Sequence, residues 1–269
     1  MDRLPHLPKR RPDAHKGDCG RILIVAGSRG MAGAAALASE AAYRAGAGLV
    51  TLAVPDAILD TVAGLQVCAT LRPFPLEGEV QADVVAVGPG MGSAAALEIR
   101  KLVDATTLPL VLDADGLNAY ADQPDLLVAR GRTRILTPHP GELARLTGST
   151  PAAINRNRRK AAEAAARRFK SIVVLKGRGT VVTDGRRTRI NETGNAGMAT
   201  GGTGDVLTGV IASLIGQGME PFEAARLGVH LHGRAGDLAA REMGERSLLA
   251  TDVIDYLPAA ILEHEEASR

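Results

Sequence analysis

The chain has no tryptophan, and only 3 phenylalanines and 3 tyrosines among its 269 residues. So thin an aromatic supply excludes a surface on which nucleic-acid bases stack. Net charge is only +2, and basic groups such as Arg10-Arg11 and Arg158-Arg159-Lys160 are scattered along the chain, so there is no nucleic-acid footprint either. Cysteine is nearly absent. Cys19 and Cys68 are too few for a disulfide framework and lack metal-ligand spacing, which suits a reducing cytoplasm. No apolar run approaches the roughly 18 residues of a membrane helix. The N-terminal MDRLPHLPKRRPDAHKG has no apolar core of the kind a signal peptide needs, and residues 1–16 read as an irregular leader. What these absences leave is a globular cytoplasmic protein, one domain over residues 1–269, with a small-molecule partner rather than nucleic acid or membrane.

What is present is alternation. Short apolar runs at Ile22–Ala26, Leu49–Val54, Val67–Leu71, Asp83–Val87, Leu108–Leu112, Arg134–Leu136 and Ile172–Leu175 predict strands, and VVTDG with RRTRIN predicts a hairpin about Asp184-Gly185. Between them lie predicted helices at Ala32–Arg44, Asp56–Gly64, Ala94–Val103 and Ala152–Arg168, with ELARLTG forming another. Val206–Ile215, Phe222–Met243 and Ala250–Leu262 complete the set. This order predicts a three-layer α/β/α fold with a mostly parallel sheet, whose ligands bind beyond the carboxyl ends of the strands.

The loops at those ends carry the chemistry. GSRGMAG (27–33) has the wrong glycine spacing for a dinucleotide fingerprint, and no Walker-type phosphate loop occurs. Its Gly30 and Gly33, with Ala34, make either a smooth wall for a flat ligand or a close strand–helix contact. In DADGLN, Asp113, Asp115 and Asn118 either cap locally or reach a cation through waters. His139 stands between two prolines just ahead of Glu142, framed as a ligand-facing imidazole or a turn residue bonded to nearby backbone. His230 and His232 lie two apart on a predicted helix, point to different faces and make no metal pair. Lys176 ends a strand and opens KGRGT, where its ammonium either meets a phosphate as a point charge or simply stands in solvent at the strand end. Last comes GNAGMATGGTGD (194–205), a glycine loop running into a helix. Its free N–H groups and helix dipole favour an anion. Asp205, in the first turn, would be repelled by that anion unless it had chemistry to do, and a base that takes a hydroxyl proton during phosphoryl transfer is such chemistry.

Taken in order, GSRGMAGAAALASEAAYRAGAGLV, GPGMG, DADGLN, TPHPGE, KGRGT and NAGMATGGTGD resemble the NAD(P)H-hydrate dehydratases across about residues 15–265. The resemblance implies a ribokinase-like fold and repair of hydrated NADH and NADPH at the expense of ADP, as in bacterial members, or ATP, with magnesium. It implies that Asp205 is the catalytic base and that Ala34, Gly90 and His139, with Asp205, hold the hydrated cofactor. Lys176, Gly177, Arg178, Gly179 and Thr180 would hold the nucleotide, and Gly202, Thr203 and Gly204 would form an anion hole; metal ligands stay unassigned. It further implies a homo-oligomer, a tetramer in many relatives. Many relatives have proline where this chain has Ala196, and many carry an N-terminal epimerase domain that this chain is too short to include. The expected substrate is therefore the S epimer. A vitamin or sugar kinase of the same fold is the alternative, and a nucleotide-binding sensor a third reading.

Overall fold

The computed structural model describes residues 3–268. A single nine-stranded sheet organises them, in the order β3-β2-β1-β4-β5-β6-β7-β8-β9. The strands are β1 (Arg21–Val25), β2 (Leu49–Pro55), β3 (Thr70–Phe74), β4 (Val84–Val87), β5 (Leu110–Leu112), β6 (Arg134–Leu136), β7 (Ile172–Leu175), β8 (Val181–Thr183) and β9 (Thr188–Ile190). Pairing is parallel from β3 through β7, and β8 runs against both of its neighbours. The central strands are apolar without interruption because helices cover both faces. In β1, Ile22 and Ile24 enter one core while Leu23 and Val25 enter the other.

On the first face lie α1 (Ala32–Arg44), α2 (Leu59–Leu65), α8 (Thr203–Gly216), α9 (Pro221–Met243) and α10 (Ala250–Ala267). The second face carries α3 (Ala96–Ala105), the single turn α4 (Asp115–Asn118), α5 (Pro140–Thr147), α6 (Pro151–Arg156) and α7 (Arg158–Phe169). Among the described residues no helix is long and apolar enough to cross a membrane.

Helix α8 is buried along nearly its whole length, from Val206 to Ile215. It reaches the sheet by crossing α1 closely, an approach that Gly209 and the alanines of α1 permit. A Cβ on Gly209 would stand 2.1 Å from the Ala38 carbonyl oxygen. Gly209→Ala is therefore expected to destabilise by about 1–3 kcal/mol, outweighing the roughly 1 kcal/mol by which alanine exceeds glycine as a helix former. Urea denaturation measures it, and a gain in stability would contradict so close a crossing.

Several sequence expectations are corrected here. The helix expected over 152–168 is two helices, because Asn157 leaves helical geometry (φ −147°, ψ 67°) and turns its side chain to cap Lys160 N. The strand expected at 67–71 lies at 70–74 and includes Pro73, which an edge strand tolerates. Helix α8 begins at Thr203, since left-handed Gly202 (φ 92°) turns the chain into it, and Asp205 is thus its third residue.

Candidate active site

Backbone hydrogen bonds continue past the strands and bring their loops into line. Gly27 N donates to Pro89 O (2.7 Å), Asp113 N to Val87 O (3.1 Å), Thr137 N to Leu112 O (3.0 Å) and Lys176 N to Pro138 O (2.9 Å). Gly88 makes one of these junctions possible. It adopts φ 129°, and a Cβ there would lie 1.8 Å from the Asp113 carbonyl oxygen.

The helix that delivers Asp205 comes from the far end of the chain. The loop ahead of it is tied down by Thr203, whose hydroxyl sits 3.0 Å from Met198 O and 3.1 Å from Thr200 O. Asp113, 1% exposed, reaches across to it: the Thr208 hydroxyl on α8 donates to Oδ2 at 3.0 Å, while Lys176 Nζ pairs with Oδ1. Asp113 is therefore an anchor for Lys176 and α8 rather than a local cap, the role that a lone aspartate at a strand end suggests. Glu142, in the first turn of α5, joins the same network. Its carboxylate is buried, accepts from His139 N at 2.7 Å and lies 3.9 Å from Lys176 Nζ.

These groups set one another's charge. Burial works against the Lys176 ammonium, yet Asp113, Glu142 and Asp205 overcome it and its pKa is raised. Burial raises that of Glu142, with Lys176 opposing. Asp205 is pushed up to about 7, chiefly by burial and then by the Asp113 charge, with Lys176 pulling the other way. Among the described residues nothing donates a hydrogen bond to its carboxylate, so its oxygens are uncommitted, as those of a proton acceptor must be.

Other expected positions fall around this centre. Gly204 faces Lys176, for a Cβ on it would lie 3.2 Å from Nζ. Ala34 and Gly90 adjoin, a Cβ on Gly90 standing 2.8 Å from that of Ala34, so the two loops form one wall. Gly30 and Gly33 have nothing within 4 Å in front of them; the close-packing alternative is met by Gly27, against Ile58 and Ala35. His139 caps α5, its Nδ1 accepting from Gly141 N (2.9 Å) and Glu142 N (3.2 Å). The outer edge of its ring stays half exposed, and burial with the Lys176 charge lowers its pKa. Gly177 (φ 126°), exposed Arg178, Gly179 (φ 63°) and Thr180, whose hydroxyl donates to Gly177 O at 2.9 Å, form a tight turn after β7.

Arg158 supports that turn from behind, donating from Nη2 to Leu175 O at 2.9 Å and Lys176 O at 3.0 Å. In sequence it is one member of a basic run, and nothing there distinguishes it from its solvated neighbours. Asp115 bridges loops as well. Its Oδ2 accepts from Gly92 N at 2.7 Å, and its Oδ1 from Asn118 Nδ2 at 3.2 Å.

A largely buried lysine, an aspartate with a pKa near 7 and a glycine-led helix start thus meet at the carboxyl edge of the sheet. The family model described as NAD(P)H-hydrate dehydratase matches residues 22–259. The chain belongs to the NAD(P)H-hydrate dehydratase family. Its fold is ribokinase-like. The chain is 44% identical to the bifunctional NAD(P)H-hydrate repair enzyme of Moorella thermoacetica over 97% of its own length and 52% of that protein's, so it spans about half of this relative. It is 40% identical to the ADP-dependent (S)-NAD(P)H-hydrate dehydratase of Neisseria meningitidis serogroup B, covering 93% of the chain and 88% of the relative. Among solved structures, the ADP/ATP-dependent NAD(P)H-hydrate dehydratase of Bacillus subtilis, co-crystallised with ATP/Mg2+, superposes with a TM-score of 0.86 at 31% identity, over 97% of this chain and 95% of that one.

Proposed function

We propose that the chain dehydrates (6S)-hydrated NADH and NADPH with ADP as phosphate donor, releasing AMP and phosphate. The observation that carries this reading is Asp205: a largely buried carboxylate with a pKa of about 7, in the first turn of a helix whose start is glycine. Asp205 takes the proton of the ring hydroxyl, whose oxygen attacks the terminal phosphorus as the bond to the nucleotide breaks. Phosphate, a far better leaving group than hydroxide, then departs with the C–O bonding pair, and the adjacent ring carbon releases a proton so that the ring double bond returns. The backbone of Gly202, Thr203 and Gly204 receives the phosphoryl charge, and Lys176 stands beside it as a fixed cation. Lys176 to Thr180 border the nucleotide. Ala34 and Gly90 form the wall for the nicotinamide, and the exposed edge of His139 faces the same ligand.

Magnesium fits as a companion of the nucleotide rather than as a resident ion. Among the described residues no group of three His, Cys, Asp or Glu side chains is placed to hold a metal, and magnesium commonly keeps its waters and binds phosphates plus one or two carboxylates. Asp115 and Glu142, whose charges reach Asp205, would hold its water shell, and the bound ion would neutralise phosphoryl charge. The same proposal places one domain of this family in a reducing cytoplasm and extends to a homotetramer.

Purified protein incubated with hydrated NADH, magnesium and either ADP or ATP is expected to restore NADH absorbance, faster with ADP. No recovery with either donor sinks the reading. A stable phosphorylated product would instead make the protein a kinase of this fold.

A further inference from the structure

Two histidines of α9 take no part in the chemistry above. The ring of His230 sits 6.2 Å from that of His264, and its backbone carbonyl accepts from the hydroxyl of Thr193, just ahead of the glycine loop, at 2.9 Å. His232 does something else. Its Nε2 lies 2.9 Å from the carbonyl oxygen of Thr203, the residue that opens α8. A carbonyl can only accept, so Nε2 carries the proton and the neutral ring is the donor. Burial lowers the imidazole pKa to about 4, the Thr203 bond opposing and the Lys176 charge adding to the fall, which keeps the ring in that form at neutral pH.

The carbonyl of Thr203 and the N–H of Gly204 belong to one planar trans peptide, and they point in opposite directions. A donor fixed on the oxygen therefore aims the Gly204 N–H away from α9. It also polarises the peptide, making that N–H a stronger donor in its turn. Helix α9 meanwhile grips the same loop at a separate place. Asp237 accepts from Gly194 N at 2.9 Å and from Asn195 Nδ2 at 3.0 Å, and Gly236 packs on Met198, whose sulfur a Cβ there would approach to 2.4 Å. The loop thus has an anchor at its start that does not depend on His232.

We propose that His232 is a positioning residue for the phosphate cradle: its Nε2–H orients and polarises the Thr203–Gly204 peptide so that the Gly204 N–H is ready for the charge that builds on the transferring phosphoryl group. This rests on reading Gly202 to Gly204 as the anion hole. Sequence alone offers no hint of it, because His232 lies 29 residues from its partner on a different helix.

His232→Gln and His232→Leu test it. The glutamine amide can place an N–H near the position of Nε2, whereas leucine fills the space without a donor. His232→Leu is expected to lose about 10- to 100-fold in kcat, less than outright loss of an anion-hole donor, with KM for hydrated NADH little changed. His232→Gln is expected to stay within about 5-fold of the parent, since it retains the hydrogen bond. Calorimetry should show weaker ADP binding for the leucine variant alone. Equal losses in both variants, or full turnover in His232→Leu, would overturn the proposal. Nitrogen-15 histidine spectra of the unaltered protein supply a readout that needs no variant to fold. They should report the neutral Nε2–H form, with its proton shifting when ADP binds; the Nδ1–H form would also overturn it. If the protein binds ADP but never restores NADH, the dehydratase reading fails, while ADP affinities and spectra still decide the part His232 plays.

Discussion

Asp205→Asn is expected to lose about 100- to 10,000-fold in kcat, the usual scale for a general base, and to keep its affinity for ADP. In the parent protein kcat/KM should rise with pH through about 7 and level off above it, because burial and the Asp113 charge keep Asp205 protonated below that point. An unchanged rate in the variant, or a flat profile in the parent, would remove Asp205 from the mechanism. Stability should move the other way. The folded protein holds this proton more tightly than the unfolded chain does, so stability declines as pH rises from the ordinary carboxylate value of 3.8 toward 7. Asparagine carries no such charge, and the variant should melt higher than the parent at pH 8 and about equally at pH 4. A lower melting temperature at pH 8 would mean that Asp205 earns net stability from Lys176, contrary to the balance of charges found.

Lys176→Met is the second large effect. It leaves Asp113, 1% exposed, and Glu142, 5% exposed, without their cation. Removing one member of a buried ion pair costs about 3–5 kcal/mol, and urea denaturation should find a loss of that size together with loss of ADP binding. The double variant Lys176→Met/Asp113→Asn should recover most of the stability and none of the binding. Glu142 already takes up a proton more readily than an ordinary glutamate, because it is buried. The deficit of the single variant should therefore shrink in acid, where Glu142 is neutral. Equal losses in the single and double variants would mean that the lysine stem, and not its charge, holds the strand ends together.

The alternation of apolar runs with helical patterns carried the architecture, because a strand covered on both faces leaves little doubt when it is bounded by glycine and proline. Helix α1 and strands β6 and β7 lie where the pattern puts them. The break at Asn157 escaped it: the flanking alanines and arginines suit either one helix or two, and only the side-chain cap on Lys160 decides. At the site, glycine loops were legible because their spacing reflects backbone freedom, a local property. The partnerships of Asp113 with Lys176 and Thr208, of Arg158 with the β7 carbonyls and of His232 with Thr203 were not. Each joins residues far apart in sequence, and a polar side chain reads the same at a distance whether it meets water or a buried partner.

That separation has a kinetic meaning. Asp113 meets Lys176 across 63 residues of chain and Thr208 across 95, and contacts closing such long loops form late because their entropic cost precedes any return. Lys176, Asp205 and the glycine loop therefore come together only when α8 is docked. The site is thus completed by the docking of one late segment of the chain, and not by the strands that carry most of its loops.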